Sequence, residues 1–92
     1  MANVIVTLKV LPVSPEVNMQ MLDQNAESVL MKYGKIYKKR MEPVAFGINA
    51  MVYWLIMDEN KGGTDPVEAE LKDVPEVSDV QVTDVTRMMD VE

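Results

Sequence analysis

The sequence predicts an α+β fold in the order strand, helix, strand, strand, helix, strand, and three observations carry that prediction. Residues 3 to 11 alternate apolar and polar side chains with the period of a half-buried strand. Two segments repeat apolar residues at helical spacing, and each follows a cap-and-proline signature. From Ile48 to Met57 nearly every residue is apolar, and several are β-branched or aromatic, which suits a central strand covered on both faces. Two right-handed βαβ units sharing one antiparallel sheet give the ferredoxin-like βαββαβ arrangement: four strands with two helices on one face.

Each element has its own signature. In the first strand Val4, Val6, Leu8 and Val10 share a face opposite Thr7 and Lys9. Pro12 and the "SP" at 14 and 15 stop it. Ser14 can cap a helix, Pro15 suits its first turn and Glu16 complements the dipole there. Val17, Met21, Leu22, Ala26, Val29, Leu30 and Tyr33 then recur at helical spacing until Gly34. Residues 35 to 42 read as a second strand, exposed and basic, ending at Pro43. After the apolar third strand, "ENKGG" is a turn. In "DPVE", Asp65 caps, Pro66 takes the first helical position and Glu68 completes the capping box. Val67, Leu71 and Val74 supply that helix with an apolar stripe. "VSDVQVTDV" closes the fold, with Val80 and Val82 facing one way and Gln81 and Thr83 the other. The tail "TRMMDVE" has no periodicity, so one domain is expected over residues 1–92 with a loose end from about residue 87.

Composition narrows the function. With no cysteine there is no disulfide, thiolate metal site or iron–sulfur cluster. With no histidine, the usual general base and the commonest neutral metal ligand are missing too. An enzyme acting alone is a poor expectation, and neither cofactor nor metal is called for. "MANVIVTLKV" lacks a basic n-region and a cleavage site, and the run "AMVYWLIM" is too short to span a bilayer, so a cytoplasmic protein is expected.

The net charge of −6 is unevenly spread. Residues 1 to 60 carry six basic and six acidic groups, whereas residues 61 to 92 carry three and nine. Within the neutral part, Lys32, Lys35, Lys38, Lys39 and Arg40 form a basic run uninterrupted by any acid. Such a run is a solvated edge that discourages edge-to-edge pairing, or a steering patch for an acidic or phosphate-bearing partner. The methionines, among them Met19 and Met21, read mainly as core filler. Alternation leaves open which face of the sheet Trp54 occupies.

Phe46, the single phenylalanine, stands between the basic run and the apolar strand, with Pro43 before it and Gly47 after it. "PVAFG" at 43–47, "GGTDPVE" at 62–68 and "VTDV" at 82–85, on this topology, resemble the nucleotide-exchange domain of translation elongation factor 1 beta. The resemblance covers essentially the whole chain, and the length matches the short archaeal form. It implies a guanine-nucleotide exchange factor that binds the GTPase elongation factor 1 alpha, promotes GDP release and lets GTP enter. Such proteins bind no nucleotide or nucleic acid of their own, and a monomer is expected when free. In the family, the phenylalanine of the loop before the third strand inserts into the partner's GTPase domain. The resemblance places Phe46 there, with Pro43, Ala45 and Gly47 shaping its approach. Eukaryotic relatives also use a lysine near the C-terminus to disturb the magnesium and phosphate site. The matching stretch "TRMMDVE" holds no lysine; Arg87 is its one cation, and Asp90 stands about where the lysine falls.

Rival readings on the same topology fare less well. A small-molecule or regulatory module needs a convergent polar pocket that the sequence does not announce. An RNA-binding sheet exposes stacking aromatics on its central strands, whereas Tyr53 and Trp54 are adjacent and so face opposite ways. An acylphosphatase-like enzyme needs a phosphate-cradling loop after the first strand, and "LPVSPE" is proline-rich and acidic.

Overall fold

A computed structural model describes residues 3–45, 47–58 and 64–87. Its elements run β1 (Asn3–Pro12), α1 (Met19–Leu30), β2 (Lys35–Ala45), β3 (Ile48–Asp58), α2 (Asp65–Lys72) and β4 (Val77–Arg87). The strands pair in the order β2-β3-β1-β4, every neighbour antiparallel. This is the expected ferredoxin-like α+β arrangement. The two central strands are β3 and β1, and β2 and β4 are the edges.

The core lies between the sheet and the two helices. Val6, Leu8 and Val10 of β1 and Met51, Tyr53, Leu55 and Met57 of β3 point into it, as period-two alternation requires. Leu22, Ala26, Val29 and Leu30 of α1 and Val67 and Leu71 of α2 meet them from the helices. Burying a side chain of this size contributes about 1.5–3 kcal/mol, so these residues supply most of the drive to fold. Met19 packs against the core as read, but Met21 is half exposed and takes no part in it. On the other sheet face, Ala50 and Val52 are also buried although no helix covers them. That agrees with the unbroken apolar run of β3.

Several boundaries move. The first helix starts at Met19, not at Ser14–Pro15. Ser14 Oγ instead accepts from the Glu16 N–H at 3.2 Å, and the Val13 N–H donates to the Glu76 carbonyl at 2.9 Å, holding residues 13–17 in a turn. Asn18, in an extended conformation, does the capping: its side chain accepts from the N–H groups of Gln20 and Met21 at 3.0 and 3.3 Å. In the second helix Thr64 is the cap and Asp65 already belongs to the helix. Thr64 makes no side-chain cap bond, and its hydroxyl reaches Glu68 Oε2 at 2.7 Å. The second strand does not end at Pro43 but continues to Ala45. Proline is tolerated there because an edge strand has a side on which no N–H is needed. The "ENKGG" turn falls on residues 59–63, outside the described residues, as do residues 88–92 of the tail. β4 itself continues two residues beyond the expected Val85.

Gly34 follows α1 for a spatial reason. A Cβ there would lie 2.1 Å from the Ile56 carbonyl oxygen, so only glycine lets the connection cross β3 this closely. No helix among the described residues is long and apolar enough to cross a membrane.

Candidate functional site

The β2–β3 hairpin carries most of the residues singled out by sequence. Ala45 pairs with Ile48, so residues 46 and 47 are the two between the strands. Gly47 has φ +75°, a left-handed value that side chains resist, and nothing lies within 4 Å of where its Cβ would be. The demand for glycine there is therefore conformational and not spatial. Pro43 is exposed and pairs with Asn49; the register slips between Pro43 and Ala45, and Val44 is left half exposed. Phe46 itself lies outside the described residues. The structure thus brings Pro43, Ala45 and Gly47 together at one tip.

Arg87 is elsewhere. It pairs with Val4, which pairs with Met57, so it sits beside the far end of β3 from the tip. Nine residues separate Ile48 from Met57, about 30 Å at strand rise. Residues 88–92 continue beyond it and are not described.

The basic run is sorted by one irregularity. Ile36 pairs with Leu55 and Lys38 with Trp54, leaving Tyr37 as the extra residue of a bulge. A bulge reverses the parity of everything after it. Lys39, opposite the buried Tyr53, is therefore turned to the helix face, and Lys38 and Arg40 to the open one. Lys39 Nζ donates to Asp23 Oδ2 at 2.8 Å and Glu27 Oε2 at 2.5 Å, both on α1. These bonds, Asp23 first, raise the Lys39 ammonium above its ordinary value. The Tyr53 hydroxyl donates to the other Asp23 oxygen at 2.7 Å, and burial, then that bond, push its phenol far upward. Lys32 pairs with Glu70 of α2 at 2.8 Å, and the Tyr33 hydroxyl donates to the same carboxylate. Those two bonds, Lys32 first, hold the Glu70 carboxyl below its usual range. Two of the five cations therefore tie helices to the rest of the domain.

Of the remaining three, Lys35 pairs with Ile56 at the start of β2, and Lys38 and Arg40 lie on the open face. Trp54 is there, half buried on β3, with Lys38 Nζ 5.2 Å and the Arg40 guanidinium carbon 5.8 Å from its ring centroid. Both distances are within cation–π range. Among the described residues neither Lys38 nor Arg40 makes an ion pair. The pairing of Thr7 with Trp54 and Lys9 with Val52 sets those two β1 side chains alongside. Sequence reasoning saw the cluster but not this division, because no residue type marks a bulge. On the helix side of the same edge, a cavity of about 500 Å³ opens between the end of α1 and the start of β2, lined by Met31, Ile36, Tyr37 and Lys39 among others. Glu27, which is paired with Lys39, and Lys35 and Lys38 also line it.

Set beside known proteins, residues 5–88 match the family model described as the EF-1 guanine nucleotide exchange domain. The elongation factor 1-beta of Saccharolobus solfataricus is 42% identical over 96% of this chain and 98% of its own length. That of Saccharolobus islandicus is 39% identical, again over 96% and 98%. That of Methanothermobacter thermautotrophicus is 34% identical over 97% of this chain and 100% of its own.

Proposed function

Because the chain belongs to the EF-1 guanine nucleotide exchange domain family, we propose that it accelerates GDP release from elongation factor 1-alpha so that GTP can enter. It acts on a GTPase partner and performs no bond chemistry of its own. Apart from the family itself, one observation supports the reading best. The β2–β3 hairpin ends in a two-residue connection with a left-handed Gly47, at one end of a molecule 43 Å long. A narrow tip of this kind can enter a cleft that a flat face cannot.

The energetics set what the tip must do. Magnesium and backbone amides hold GDP by its phosphates. An exchange factor shifts that equilibrium only if it binds the nucleotide-free or distorted partner better than the loaded one. The coupling is reciprocal, so incoming GTP weakens the factor's grip in turn. In the proposed mechanism Phe46 is the wedge, and Pro43, Ala45 and Gly47 shape the turn that presents it. Burial of a phenylalanine is worth about 1.5–3 kcal/mol, and each ~1.4 kcal/mol is tenfold. A burial available only in the opened partner would therefore supply about ten- to a hundredfold acceleration. Arg87, at the far end of β4 from the tip, would meet a different part of the partner.

The test is release of labelled GDP from elongation factor 1-alpha with and without this protein. Acceleration by the wild type, lowered about ten- to a hundredfold in Phe46→Ala with an unchanged melting temperature, is the expected result. A wild-type chain that leaves the release rate untouched refutes the function. A Phe46→Ala chain that melts early while keeping its exchange activity returns that residue to a structural role.

A further inference from the structure

We infer that the open face of the β2–β3 hairpin, centred on Trp54 with Lys38 and Arg40, is a second docking surface for the GTPase partner and takes an acidic patch of it. The inference rests on the exchange reading above and extends it from the tip to the flank of the same hairpin.

Four observations converge on this face. Its apolar centre is uncovered, since α1 and α2 both pack on the opposite side of the sheet. Ile5, Trp54 and Ile56 are each only part buried there. Tryptophan and arginine are among the residue types enriched where binding energy concentrates at protein interfaces. Second, the two cations are held and unspent. Their charged heads are drawn to the indole ring, which limits the side-chain freedom left to be lost on binding. Among the described residues neither makes an ion pair with a carboxylate.

Third, charge on this face is unequally divided, with cations prevailing around Trp54 and carboxylates on β4. Lys38 and Arg40 on β2 and Lys9 on β1 occupy one side, alongside Glu42, which pairs with Ala50 two residues beyond Arg40. On the far side Asp79 and Asp84 of β4 pair with Leu11 and Thr7. An occupant centred on Trp54 is therefore favoured when it is acidic and limited in width. That pattern favours a protein surface over RNA. A phosphate backbone running on across the sheet would meet Asp79 and Asp84. The one aromatic platform already has both cations on it. Fourth, the surface is continuous with the tip: Arg40 is five residues from Ala45, about 17 Å at strand rise. A partner that receives the tip has this flank within reach.

A flank of this kind governs encounter and grip, whereas the tip governs opening. The two are separable in one experiment: GDP release from the partner, measured against the concentration of this protein at low and moderate salt. The comparison is wild type against Lys38→Glu/Arg40→Glu and Lys38→Gln/Arg40→Gln. Charge reversal is expected to raise the half-maximal concentration at least about tenfold at low salt. Neutralisation should raise it by about threefold. Both should leave the plateau rate unchanged and flatten the salt dependence. If the wild type itself does not accelerate release, the exchange reading fails. If it does, and both double variants keep the wild-type half-maximal concentration, this inference alone is overturned. A lowered plateau with the half-maximal concentration unchanged also overturns it, by assigning the pair to the opening step. Should the reversed chain not fold, the neutral pair decides. A gel shift with a short oligouridylate completes the test: retardation by wild type that is lost in the reversed variant would transfer the face to RNA.

Discussion

The two faces of the β2–β3 hairpin are made from neighbouring residues and serve opposite ends. On the helix face, Lys39 and Tyr53 converge on Asp23, and Leu55 and Met57 are sealed under α1 and α2. On the open face, Lys38 and Arg40 flank Trp54, and neither helix packs over them. The sequence offers "KKR" as one uniform patch, yet its middle and outer members differ completely in environment. What separates them is the extra residue at Tyr37, which sets the parity of the strand. Lysine on an inward-turned site becomes a structural bolt; lysine on an outward-turned site stays available. Charge composition alone cannot distinguish the two.

Substitutions should expose the asymmetry in graded steps. Leu55→Ala, at a fully buried position, is expected to cost about 2–5 kcal/mol in denaturant unfolding. A smaller loss would mean the helix face collapses around the gap. Tyr53→Phe removes the hydroxyl from Asp23 while Lys39 still contacts that carboxylate, and should cost about 1 kcal/mol. A neutral result would show that the network is held by Lys39 alone. By contrast, Lys38→Gln and Arg40→Gln should each leave stability within about 0.5 kcal/mol. Equal costs on both faces would erase the distinction drawn here.

The smallest expected effect is a pH dependence that reads the helix face alone. Glu70 is held below 4.5 in the folded state, so its contribution is complete above that value and is lost as pH falls through the lowered one. Lys39 is held above 10.5, so its contribution is complete below that value and is lost as pH climbs through the raised one. These groups are solvent-accessible, and screening keeps their share modest. Tyr53, also raised in the fold, loses its contribution as pH climbs past the ordinary tyrosine value. Melting temperatures of Lys39→Gln should accordingly lose part of the alkaline dependence, whereas Lys38→Gln should keep all of it.

Much of this was legible in the chain, and what was not has definite causes. Element order followed from period: Val6, Leu8 and Val10 on β1, and Leu22, Ala26, Val29 and Leu30 on α1, lie where periodicity put them. The start of α1 was misplaced because Ser14 and Asn18 are both competent caps, and Pro15 suits a turn as well as a helix. Tertiary pairing of Val13 with Glu76 decided between them. The second strand outran Pro43 because an edge position forgives proline, and edge status is a property of the sheet rather than of the residue. Of the candidate site, the tip residues could be found from "PVAFG" and the family likeness. The separation of Arg87 from them by the length of a strand could not, since it depends on register.

One feature of composition gains a use from this geometry. Trp54 is the only tryptophan in the chain, and it stands on the face left bare. Tyr53, its neighbour in sequence, has a phenol whose ionisation burial and Asp23 suppress. The protein thus carries two label-free optical probes on adjacent residues that answer different questions. Indole emission would report a partner docking on the open face without any dye. The Tyr53 phenol, held neutral by burial and Asp23, is released to ionise at alkaline pH as the domain opens, so its absorbance there follows unfolding.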